Sequence, residues 1–218
     1  IRGPGSVQYG SDAIGGVINV LSKKAVLAEK DDFEYSGQTG GWYGTVDGTS
    51  VETFDLNLAG KRAAFAGGVT NQNTGDYRGP GEGILSPSGF EALGGYADLL
   101  VKPADGHFLR ASWLQNRRDD VDSYVQSKLN AGGVPRIFKD TERRGIAKLE
   151  YTAKEQSFLS EELRAYGYAH YYDEISERRV ETAAAFTNTI RNTHQDVWGA
   201  GLQNTTAVGP HRVTYGLD

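Results

Sequence analysis

The segment 161–172 allows one backbone period. Its odd positions are Glu161, Leu163, Ala165, Gly167, Ala169 and Tyr171, and its even positions are Glu162, Arg164, Tyr166, Tyr168, His170 and Tyr172. One set is small and aliphatic and the other is charged and phenolic. A helix would mix the two sets around its circumference, whereas a strand sends alternate side chains to opposite faces. The same separation recurs more weakly elsewhere. Phe54, Leu56 and Leu58 alternate with Asp55 and Asn57, and Leu93, Ala97, Leu99 and Val101 with Tyr96 and Asp98. Trp198, Ala200 and Leu202 oppose Gln203, and Val213, Tyr215 and Leu217 oppose Arg212 and Thr214.

Connections between these segments come in two lengths. Gly60-Lys61-Arg62, the stretch from Lys102 to His107, and Gly209-Pro210-His211 are tight, while 71–89, 116–140 and 174–192 are long and polar. They alternate along the chain, as in an antiparallel meander with short turns at one end and long loops at the other. The reading is an all-β chain of eight or nine strands, near 33–45, 50–61, 62–72, 90–103, 106–117, 141–153, 157–173, 193–208 and 211–218.

Composition narrows the function classes. The net charge of −5 argues against a general nucleic-acid binder. With no Cys there is no disulfide framework, no thiolate metal site and no Cys nucleophile. No run approaches the roughly 18 apolar residues of a spanning helix, but membrane β-barrels hide their apolar surface by alternation. A soluble β-sandwich or β-barrel binding module, such as an adhesin or carbohydrate-binding domain, is the alternative that fits the same alternation. Long loops and strands of more than about ten residues favour the membrane barrel. The chain opens at Ile1 without an initiator Met, as a fragment or processed product would.

No catalytic constellation emerges, and the expectation is a non-enzyme without a resident cofactor. Gly5 and Gly10 have phosphate-loop spacing, but Ser11-Asp12 follows where a Lys is needed. Asn71, Asn73 and Glu82 occupy three positions of a calcium loop, with Asp76 standing where the turn needs Gly. Asp119, Asp120 and Asp122 read as a solvated loop, and His107 and His211 as solvated turn residues. His170 and His194 complete the histidines, and no His-x-x-x-His pair occurs.

Residues 2–21 carry the most specific signal. Arg2-Gly3-Pro4, then Tyr9-Gly10, then Gly15-Gly16 and Asn19 within a short apolar strand resemble the end of the plug domain of TonB-dependent outer-membrane receptors. The resemblance implies residues 1–30 as the end of a plug with its joint, and 31–218 as the first part of a transmembrane β-barrel. The family barrel has about 22 strands around a plugged lumen. That needs roughly 440 residues, so this chain corresponds to part of such a receptor. The implied function is energised uptake of a scarce, bulky nutrient across the bacterial outer membrane: a ferric siderophore, haem or cobalamin. The implied partners are outer-membrane lipid, the TonB motor and the extracellular cargo. Arg2 matches the plug arginine that pairs with barrel carboxylates in the family. The even face of 157–173 is then expected to point into the lumen, with Tyr166, Tyr168, His170 and Tyr172 as candidate cargo contacts, and the odd face toward lipid.

Overall fold

The structure is a computed structural model that describes residues 23–81, 83–86, 88–122, 135–157, 160–181 and 186–217. Arg2, Gly3, Pro4, Tyr9, Gly10, Gly15, Gly16 and Asn19 lie outside the described residues. The described chain is all-β. In order, it comprises β1 (Glu34–Tyr43), β2 (Ser50–Ala59), β3 (Ala63–Thr74), β4 (Arg78–Gly79), β5 (Gly83–Ile84), β6 (Phe90–Ala104), β7 (His107–Asp122), β8 (Pro135–Ser157), β9 (Ser160–Glu181), β10 (Phe186–Val208) and β11 (His211–Leu217). Nine of these form one antiparallel sheet in sequence order, and β4 and β5 form a small separate hairpin. Each main strand pairs with its chain neighbours, and β1 and β11 are the two open edges. No second sheet packs on either face among the described residues.

The nine strands sit where the alternation places them, but their long-loop ends extend further than expected. Residues 118–122, 135–140, 174–181 and 186–192 are strand, not loop. In this region charged and polar residues occupy both faces, so hydrophobic alternation carries no signal even though the backbone ladder continues. Asp119 and Asp120 therefore belong to β7. Asp119 accepts from Arg117 Nε at 3.0 Å and from Thr141 Oγ1 at 2.9 Å. Asp120 adopts φ 55°, a left-handed conformation that Asp tolerates better than most residues. Beside it the β8–β9 register slips between Lys139 and Thr141. Asp76 serves the 75–89 connection by accepting the backbone N–H groups of Ser88 at 2.7 Å and Gly89 at 2.9 Å.

Register converts the alternation into two continuous faces. On one, Phe65, Leu99, Ala111, Leu149, Gly167 and Ala200 form a row across β3 to β10. The row on one side of it reads Ala97, Trp113, Ala147, Ala169 and Trp198, and the row on the other reads Val101, Leu109, Tyr151, Ala165 and Leu202. This apolar band is bare: Leu99 is 43% exposed and Trp198 83%. No large side chain is fully buried among the described residues. Small residues leave a shallow hollow of about 890 Å³ in the band. Its turn-side margin is aromatic, where His107 Nδ1 hydrogen-bonds Tyr151 Oη at 2.7 Å and the two rings stack. The sequence reads His107 as a solvated turn residue. Its neighbour across the diagonal gives it a ring to pack on, whereas His211 is exposed.

The opposite face is polar and carries a small core, the one such cluster among the described residues. Residues 23–28 cross it as an irregular strap. Ala25 packs on Ala64, Ala66 and Leu100, with Leu27, Ala59, Tyr96 and Phe108 around them. Ala64, Ala66 and Gly68 share one face of β3, and side chains this small leave room for a backbone to lie flat on a sheet.

Candidate functional site

Facing positions on β8 and β9 supply the densest chemistry of the polar face. Register sets Arg144 opposite Tyr172, Ile146 opposite His170, Lys148 opposite Tyr168 and Glu150 opposite Tyr166. Lys148 Nζ donates to Glu150 Oε2 at 2.7 Å and stands 4.8 Å from the Tyr166 ring centroid. The Arg144 guanidinium pairs with Glu142 and stands 5.5 Å from the Tyr172 ring, whose hydroxyl donates to Glu174. Arg164 Nη2 donates to Glu162 Oε1 at 3.0 Å. Each cation is thus neutralised by a carboxylate two residues along its own strand, on the same face. Cation–π contact of this kind is worth about 0.5–1 kcal/mol where exposed.

The four tyrosine and histidine candidates share one face, as their alternation requires, but in different settings. They form a line along β9, with about 7 Å between successive members. Tyr166 and Tyr172 are held by cations. The ring of Tyr168 lies over Gly199 on β10, where an added Cβ would meet it at 2.7 Å. That contact makes Tyr168 a packing residue. Tyr171 does the same for Gly145 on the apolar face. His170 sits between Ile146 and Val197 in a row that continues through Leu114 to Tyr96. This row is an apolar stripe between the charged rows of β8 and β9, with Leu114 47% and Ile146 40% exposed. Sequence reading missed it, although the order Arg144, Ile146, Lys148, Glu150 holds the signal: one aliphatic residue on the charged register.

A second cluster joins the strap to the sheet. Asp98, only 2% exposed, accepts the Ala25 backbone N–H at 2.8 Å and the Ser112 hydroxyl at 2.6 Å, and forms an ion pair with Arg110. Arg110 Nη2 donates in turn to the Ala25 carbonyl at 3.2 Å. Lys23 Nζ pairs with Asp55 at 2.8 Å, and Tyr96 Oη donates to the other oxygen of that carboxylate at 2.6 Å. The Ala28 N–H donates to the Gly60 carbonyl at 3.1 Å. Arg164 lines a hollow of about 260 Å³ together with Lys24 and Arg110. The charged face of β9 is therefore the strap side of the sheet.

On the apolar side, beyond the band, His194 lies between two carboxylates. Its Nδ1 faces Asp173 and its Nε2 lies 2.9 Å from Asp196. With an acceptor at each nitrogen, the imidazolium is the form that satisfies both. Hydrogen bonding to Asp173 first, and to Asp196 second, raises the His194 pKa above its usual 6.5. The sign follows. A raised folded-state pKa gives stabilisation that is complete below about pH 6.5, the unfolded value. It is lost as pH rises through the folded-state pKa. Titration of the His194 ring by NMR is expected to give a midpoint above that of the Asp173→Asn/Asp196→Asn variant. Equal midpoints would remove the carboxylates as the cause.

No protein-family model matches the chain, and no solved structure matches it.

Proposed function

We propose that this chain is the end of the plug and the first nine strands of the barrel of a TonB-dependent outer-membrane receptor, which takes up a ferric siderophore, haem or cobalamin. The observation that carries the reading is the division of one nine-stranded meander into a bare apolar face and a polar face. The polar face holds the strap that directly follows the Arg-Gly-Pro, Tyr-Gly and Gly-Gly series. In a bilayer the apolar band meets lipid and the polar face meets the lumen. In water, two open edges and an uncovered band would drive aggregation.

In this reading the line of Tyr166, Tyr168, His170 and Tyr172 is lumen wall. His170 and Tyr172 stand toward the long-loop end and are the residues offered for cargo contact. Tyr168, packed on Gly199, is the least suited of the four. The test is made in the intact receptor within its native membrane. Disrupting the gene is expected to abolish proton-gradient-dependent uptake of one metal chelate. The His170→Ala/Tyr172→Ala variant is expected to weaken cargo binding about tenfold, the size of a modest interface hot spot. Unchanged affinity and uptake would end the contact assignment. A protein recovered entirely as a soluble monomer, with no uptake defect on disruption, would favour the soluble binding module.

A further inference from the structure

The strap is held by two kinds of contact. Lys23 reaches the sheet through an ion pair whose ammonium side chain is 63% exposed. Such a contact is screened by solvent and adds little to the hold. The next attachment is different in kind. Ala25 is gripped through both of its backbone polar groups, its N–H donating to the buried carboxylate of Asp98 and its carbonyl accepting from Arg110. Arg110 and Asp98 also pair with each other, and Ser112 fixes the second carboxylate oxygen. The Ala25 methyl is buried in the small core, and Ala28 is tied to Gly60. The grip acts on backbone atoms and rests on a buried charge pair, so detaching the strap strips one charge-assisted hydrogen bond from the carboxylate and one from the guanidinium.

We propose that Ala25–Ala28 is a fixed anchor: a pulled upstream segment detaches up to Lys24 and stops there, while the strap stays with the sheet. This inference rests on the receptor reading above for the source of the pull, but the anchor itself rests on the contacts of Ala25. Force spectroscopy on the full receptor in a bilayer, with the handle at the plug terminus, tests it. The wild-type trace is expected to show a pause when the released chain reaches residue 24, followed by a separate, higher-force step. Asp98→Asn is expected to abolish that step, so that release runs on to Glu34 and adds about ten residues, or about 35 Å. Ser112→Ala, a milder change that keeps the charge pair, is expected to lower the force of the step without moving it. A wild-type trace that passes Ala25 without a step would overturn the anchor, and so would an unchanged step in both variants. Loss of the transport reading would appear as absent uptake with the step still present. Loss of the anchor would appear as an absent step with uptake intact.

Discussion

Replacing Asp98 with Ala is expected to destabilise the folded protein by about 3–5 kcal/mol, the cost of breaking a buried ion pair by removing one partner. Three donors depend on this carboxylate: the Ala25 N–H, the Arg110 guanidinium and the Ser112 hydroxyl. Water reaches the site poorly, since Asp98 is almost wholly buried, so the orphaned donors are not resolvated at once. Denaturant unfolding in lipid vesicles, followed by tryptophan emission, measures the change. The Asp98→Ala/Arg110→Ala double variant is expected to lose less than the sum of the single variants, because the second change removes the stranded charge. By contrast, Lys102 and Asp105 pair at a turn with the carboxylate fully exposed, and removing Asp105 is expected to change stability by less than about 1 kcal/mol. An Asp98→Ala cost as small as the Asp105→Ala cost would contradict the description of the strap.

The second large effect separates the two faces of the sheet. Leu99→Arg puts a guanidinium in the centre of the apolar band and is expected to cost about 2–4 kcal/mol in a bilayer. Ser36→Arg lies on the polar face, in the row that runs through Asn57, Ala66 and Asp98. A guanidinium there meets water, and the expected cost is under about 1 kcal/mol. Both variants are measured by equilibrium folding into vesicles. Equal costs would mean that both faces see the same solvent, which the membrane reading does not allow.

The sequence made the strands legible because most of them separate two environments. In 161–172 every second residue changes character, and β9 follows with its faces as read. That signal fails where both faces are polar, which is why 174–181 and 186–192 read as loop although β9 and β10 pair through Glu181 and Phe186. The strap grip was not legible at all. Asp98 and Arg110 are ordinary charged residues on the polar register of their strands. Only the pairing of β6 with β7 brings them together, and Ala25 lies 73 residues from the carboxylate that holds it. The tyrosines of β9 were legible as a face but not as individuals. That Tyr168 covers Gly199 while His170 sits in an apolar row depends on the register of β8 and β10.

The central claim is that the apolar band faces lipid and the opposite face does not, and the three tryptophans report on it directly. Trp113 and Trp198 lie in the same cross-strand row of the band, whereas Trp42 lies on the polar face, in register with Val51. Three single-tryptophan forms of the intact receptor, reconstituted in vesicles of brominated lipid, give the measurement. Quenching by bromine is expected for Trp113 and Trp198, at different depths because tilted strands incline their shared row to the membrane plane. Trp42 is expected to escape bromine and to be quenched by aqueous iodide. Iodide quenching of Trp113 and Trp198, with no response to bromine placed at any depth, would contradict the account.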